Sequence, residues 1–127
     1  MIFRKDTMQT ELRQNVHEGT GEVELTYLIP RNTHPNLRLL TWMDVPPGAT
    51  VGLHHHRKET EYYLLLSGEA RVNDNGKISH MQAGDLLQTA SGEGHALENI
   101  GTETAKILVF VVTHADHPLN QTHGSTS

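Results

Sequence analysis

Residues 48–68 read GATVGLHHHRKETEYYLLLSG, and this stretch decides the fold and the chemistry together. Pro46 and Pro47 precede it, so two prolines and Gly48 enforce a turn before an extended segment begins. Successive side chains of a strand point to opposite faces, which puts His54 and His56 on one face and His55 on the other. Two imidazoles on one face make a chelating pair. Glu61 heads the run Tyr62-Tyr63-Leu64-Leu65-Leu66, whose aromatic and aliphatic content predicts a buried neighbouring strand, and it supplies a carboxylate beside the pair. Glu59 shares the parity of Glu61 and is the substitute ligand. Residues 84–99, GDLLQTASGEGHALEN, bring His95 behind glycines that permit a tight approach before a new strand starts, and His95 closes the site.

These residues carry a family resemblance. Gly48, His54, His56, Glu61 and Gly68 stand at the spacing of the first cupin signature, and Gly84, Gly92, His95 and Asn99 at that of the second, with Ala90 where the family has proline. The chain therefore resembles a small single-domain cupin related to the oxalate decarboxylase and germin-like group. The resemblance implies an all-β, double-stranded β-helix (jelly-roll) barrel and one divalent metal ion held by His54, His56, Glu61 and His95. The resemblance directly covers residues 48–99; chain length predicts a single domain over residues 1–127, with its barrel core at about 22–113, and the composition after Thr113 predicts a coil tail at 114–127. Alanine at position 90 leaves the ligand set intact, since the family's proline shapes a turn.

Composition agrees. The chain has 127 residues, 35% apolar and 20% charged, with a net charge of −5, enough for one packed domain. No basic cluster exceeds Arg57-Lys58, which argues against nucleic acid and anionic membranes as partners, because both need concentrated positive charge. Without cysteine there are no disulfides and no thiolate ligands, so an ion would see nitrogen and oxygen only. No apolar run approaches the ~20 residues that span a bilayer, and the first residues lack a signal peptide's hydrophobic core, which predicts a cytoplasmic protein.

Outside the motif the chain reads as short strands between turn signals: 22–29, 37–45, 61–67, 69–73, 77–81, 86–89 and 105–113, with 73–76 (Asn-Asp-Asn-Gly) as a hairpin turn. No helix is expected. Residues 62–66 and 107–112 are apolar on both faces, which predicts a covered outer face and points to a homodimer.

Three imidazoles and a carboxylate leave one or two positions open on a five- or six-coordinate ion, as at catalytic sites, and suit Fe, Mn, Ni, Co or Zn. Tyr63 shares the face of Glu61 and is the catalytic candidate: a phenol near a cation has a lowered pKa and acts as acid or base, though a core role is the simpler alternative. The implied function is metal-dependent dioxygenase or redox-neutral lyase, isomerase or decarboxylase chemistry on a small carboxylate-like metabolite, with a non-catalytic binding or sensing module as the alternative. Metal loss is expected below pH ~6. Trp42 or Met43 is expected to line the pocket, with Gln88 and Asn99 as further polar candidates and Asn99 also suited to shaping a turn. Arg38 is expected to be exposed, with binding of a carboxylate as the alternative; His55 is expected at the surface or packed in an interface, and His17, His34, His80, His114, His117 and His123 are expected to be exposed.

Overall fold

Side-chain alternation sorts the two most apolar strands onto an inner and an outer face. In the computed structural model, which describes residues 1–118, β5 (Glu59–Ser67) buries Glu59, Glu61, Tyr63 and Leu65, and β10 (Ala105–Thr113) buries Ala105, Ile107, Val109, Val111 and Thr113. They pair antiparallel, with Tyr63 opposite Val109. Their outer residues, among them Tyr62, Leu64, Leu108 and Phe110, are half-buried, and the rings of Tyr62 and Phe110 stack at 4.9 Å.

The other strands extend this pair into two sheets. β1 (Gln9–Gln14), β2 (Glu22–Tyr27), β3 (Leu37–Val45) and β8 (Leu86–Thr89) join it in the order β1-β2-β3-β10-β5-β8. The second sheet runs β4-β9-β6-β7, from β4 (Thr50–His55), β6 (Glu69–Asp74), β7 (Lys77–Gln82) and β9 (Gly94–Glu98). Val23, Met43, Val45, Val51, Leu65, Val72, Leu97 and Ile107 fill the space between the sheets. Each such side chain contributes roughly 1.5–3 kcal/mol by leaving water. This is the expected jelly roll, and single 3₁₀ turns at Lys5–Thr7 and Val16–Glu18 are the only helical elements among residues 1–117.

Two turns show why particular residues stand where they do. Asn75 and Gly76 both have positive φ, 50° and 99°, and close the β6–β7 hairpin with the handedness that matches strand twist. Gly68, at φ 91°, carries the chain from one sheet to the other so close to β10 that a Cβ would stand 2.8 Å from the Ala105 Cα. Any side chain there would push the sheets apart.

Two expectations change. β1 is a strand where the sequence suggested none: its polar residues QTELRQ pair with β2, and Tyr27 Oη donates to Glu11 Oε1 at 2.7 Å. β5 begins at Glu59 rather than Glu61. The expected coil after Thr113 is described only as far as Pro118, and His123 lies outside the described residues. Among those residues no helix is long and apolar enough to cross a membrane.

Candidate metal centre

The four ligand candidates come from both sheets. β4 and β9 pair with His54 directly opposite His95, so two imidazoles enter from facing positions. Glu61 comes from β5 in the other sheet. His56 lies one residue past β4, where backbone bonds hold it to the glycine-rich loop: Gly92 N–H donates to the His56 carbonyl at 2.6 Å, and His56 N–H donates to the Glu93 carbonyl at 3.2 Å.

Their donor atoms converge. Nε2 of His95 lies 3.0 Å from Nε2 of His54 and 3.3 Å from Nε2 of His56. Glu61 Oε1 lies 2.7 Å, 2.9 Å and 3.8 Å from Nε2 of His56, His95 and His54. All four donors lie within 4.8 Å of one another. Meanwhile each Nδ1 is engaged elsewhere. That of His54 donates to the Gly52 carbonyl at 2.8 Å, that of His56 to Glu59 Oε2 at 2.9 Å, and that of His95 pairs with the Thr89 hydroxyl at 2.7 Å. Carbonyl and carboxylate oxygens only accept, so the protons of His54 and His56 sit on Nδ1, and in the neutral rings an Nε2 lone pair points inward. Lone pairs gathered around a buried carboxylate oxygen that has no hydrogen-bond partner repel one another unless a cation or protons lie among them. The donor set therefore fits a cation, and its nitrogen-oxygen composition suits a divalent transition metal.

A cavity of about 360 Å³ opens above these donors. It is lined by the ligand candidates His54, His56 and Glu61, by Met43 and Tyr63 on the inner sheet face, and by three arginines, Arg13, Arg31 and Arg38.

Comparison with known proteins agrees with this geometry. A family model described as the cupin domain matches residues 41–111, more than half of the chain. The chain belongs to the cupin family. Among curated relatives of this cupin is the oxalate-binding protein of Thermotoga maritima, 39% identical over 113 residues that cover 88% of the chain and 93% of the relative. Among solved structures, a predicted oxalate decarboxylase from Thermotoga maritima superposes with a TM-score of 0.84 at 38% identity, covering 89% of this cupin and 99% of that chain. The Schizosaccharomyces pombe Cnp3 cupin domain shares the fold alone, with a TM-score of 0.68 at 17% identity over 83% of this chain and 69% of its own.

The electrostatics of this cupin's site follow from the crowding. Burial pushes the Glu61 carboxyl up, but the three imidazoles outweigh it and hold the group well below the usual carboxylate range. Burial likewise opposes the charged form of His56, yet the hydrogen bond to Glu59 and the two carboxylates that flank the ring, Glu59 and Glu61, win and raise it to about 9. Glu59, with burial against it and His56 and Arg38 for it, is lowered to about 2. His95 is pushed down, chiefly by burial. Tyr63 is pushed well above its ordinary value by burial and by the charge of Glu61, against the lowered pKa expected beside a cation. A bound cation would have to overcome both effects.

The remaining candidates sort as follows. Tyr63 is buried and stacks on His95 at 4.6 Å. Met43, and not Trp42, faces the cavity; Trp42 lies outward beneath the Lys106 ammonium at 4.5 Å. His55 is exposed, as expected, with its ring against Gly94. Asn99 shapes its turn, donating to the Val45 and Glu103 carbonyls at 2.8 Å, while exposed Gln88 accepts from Tyr62 on the outer face, so neither polar candidate lines the pocket. Glu59 is not among the four converging donors; it accepts from His56 instead.

Two residues depart from expectation, and a third keeps its expected exposure but makes a contact that no spacing announced. Arg38 is not exposed: the β3–β10 register shifts between Val111 and Val112, and this irregularity accompanies an inward turn of Arg38, whose Nε and Nη2 both donate to Glu59 at 2.9 Å. His117 reaches the same carboxylate at 3.2 Å from beyond β10. His17, although an exposed residue, lays its ring flat on His54, with centroids 3.6 Å apart and planes 11° from parallel. His34, His80 and His114 are exposed, as expected.

Proposed function

We propose that this cupin holds one divalent metal ion on His54, His56, Glu61 and His95 and uses it to bind and transform a small carboxylate. The observation that carries the reading is the convergence of three Nε2 atoms and a buried carboxylate oxygen at the floor of a cavity lined by three arginines. A divalent ion there would polarise a coordinated carboxylate and withdraw charge from it. Around it, Arg38 holds Glu59, Glu59 holds the His56 ring in the tautomer that frees Nε2, the Gly52 carbonyl does the same for His54, and the Thr89 hydroxyl orients the His95 ring through Nδ1. The name of the Thermotoga maritima relative supports oxalate as the first ligand to try. Tyr63 is the acid-base candidate of this reading.

One observation favours a second reading. Tyr63 is buried and its phenol is pushed up, which suits a packed ring better than a proton carrier at neutral pH. A protein that binds the carboxylate on its ion without turning it over fits that state. Calorimetric titration of Mn²⁺-loaded protein with oxalate, followed by long incubation and product analysis, separates the two. Binding with consumption supports an enzyme and binding without consumption supports a carrier or sensor, while the absence of binding by any small carboxylate refutes both.

The half-buried outer row of Tyr62, Leu64, Leu108 and Phe110 also supports the expected homodimer, since a second copy would take this apolar face out of water. Light scattering should return twice the chain mass. A monomer at micromolar concentration refutes the dimer without touching the metal site.

A further inference from the structure

The connection between β1 and β2 is built at a backbone cost. Asn15, His17 and Glu18 have φ of 54°, 50° and 66°, three non-glycine residues within four in the left-handed region that L side chains disfavour. Such conformations persist only where surrounding contacts impose them, and they gather at functional sites. Here β4 imposes them. Thr50 N–H donates to the Thr20 carbonyl at 2.8 Å, and Thr20 N–H donates to Thr50 Oγ1 at 2.7 Å. The His17 carbonyl occupies the space a Cβ at position 52 would need, so only glycine at 52 lets the connection lie this close. The same Gly52 accepts the Nδ1–H of His54. One residue therefore sets the ring of a metal-ligand candidate and docks the strained connection over it.

The product of this arrangement is the His17 ring, parallel to His54 at 3.6 Å and lining the cavity together with Arg13 and Arg38. His17 is not among the four converging donors, so it would stand beside an ion held there without ligating it. No hydrogen bond among the described residues engages its ring nitrogens. Flat packing alone would require neither a polar ring nor a strained backbone. A neutral imidazole carries one N–H donor in either tautomer and needs no change of charge to use it.

We propose that His17 is a specificity-determining residue that donates a hydrogen bond to the second carboxylate of a dicarboxylate bound at this centre. The inference rests on the reading of the centre as a metal-held carboxylate site and adds the group that distinguishes two carboxylates from one. A monocarboxylate such as acetate has no second carboxylate to offer, so its affinity does not depend on His17.

The test titrates Mn²⁺-loaded parent, His17→Phe and His17→Gly with oxalate and with acetate by calorimetry, after Mn²⁺ affinity has been measured for each. Phenylalanine keeps a flat ring on His54 and removes the donor. Glycine accepts the left-handed backbone without strain and removes the ring. Both variants should lose about tenfold in oxalate affinity, the scale of one lost polar contact to a charged ligand, and stay within about twofold of the parent for acetate and Mn²⁺. Parent-like oxalate affinity in either variant, or equal losses for oxalate and acetate, overturns the role of His17 and leaves the metal-carboxylate reading standing. A parent that binds neither carboxylate refutes that reading and the inference with it.

Discussion

Metal affinity should depend on pH over a range well above the usual titration of histidine, and His56 is the reason. In the metal-free protein its ring lies between two carboxylates, with Glu59 on Nδ1 at 2.9 Å and Glu61 on Nε2 at 2.7 Å, and its pKa is raised to about 9. The Nε2 that faces the centre is then protonated at neutral pH, so an entering ion must displace that proton. With a pKa of about 9, displacement at pH 7 costs about 3 kcal/mol, a weakening of roughly a hundredfold relative to the plateau reached above pH 9. Glu61, held below the usual carboxylate range, and His95, pushed down, add no competing proton across this interval. The apparent Kd for Mn²⁺ should therefore fall about tenfold for each pH unit between 6.5 and 9, with about one proton released per ion bound. Competition with a metal-sensitive dye, repeated in buffers of different ionisation enthalpy, measures both the slope and the proton count. Replacing Glu59 by glutamine removes one of the two carboxylates that raise His56 and should move the break in the curve to lower pH. A Kd that is the same at pH 7 and pH 9, or a Glu59→Gln curve that breaks where the parent's does, refutes the reasoning. The loss of metal expected from the motif alone, below pH ~6, is thus only the lower end of a longer decline.

Further outcomes follow from the same contacts. The raised pKa of His56 stabilises the metal-free fold fully below its unfolded value of about 6.5, and that contribution is lost as pH rises through about 9. The lowered pKa of Glu59 contributes above about 4.5 and is lost as pH falls through about 2, so the Tm of metal-free protein should be highest between about 4.5 and 6.5. A Tm that climbs from pH 6.5 to 9 contradicts the pairing. Truncating Glu59 to alanine removes the carboxylate that His56 Nδ1, Arg38 and His117 share and should weaken Mn²⁺ binding by about 10–100-fold at pH 9 or above, where the proton no longer competes; an unchanged affinity there would show that Glu59 does not orient the ligand. Gly52→Ala drives a Cβ into the His17 carbonyl and should cost about 1–3 kcal/mol, read as a lower midpoint in urea, whereas a parent-like midpoint would mean that the connection yields freely. Tyr63→Phe should keep the metal and, if turnover is found, reduce it; full activity would leave Tyr63 as packing against His95.

The barrel and the four donors were legible because strand parity and turn glycines are local properties. His54 and His56 share a face by their spacing, Tyr62 to Leu66 declares a buried strand, and Gly48, Gly68, Gly84 and Gly92 all take up the positive φ that their turns require. What stayed hidden was non-local. Arg38 has the parity of the outer face and turns inward beside a register shift between β3 and β10 that no spacing announces. His17 meets His54 only because Gly52 admits a carbonyl from another connection, a contact between residues far apart in the chain. His117 joins Glu59 across 58 residues. β1 carries no apolar alternation, and its pairing rests on polar contacts such as Glu11 with Tyr27, which pattern reading does not register.

Whether His54, His56, Glu61 and His95 hold a divalent ion is decided by elemental analysis of protein purified without a histidine tag or added metal, beside a His54→Ala/His56→Ala variant. The parent should carry near-stoichiometric transition metal, and the folded variant should lose it. A parent that carries no metal even after reconstitution, or a variant that retains it, would mean that these four residues do not hold an ion.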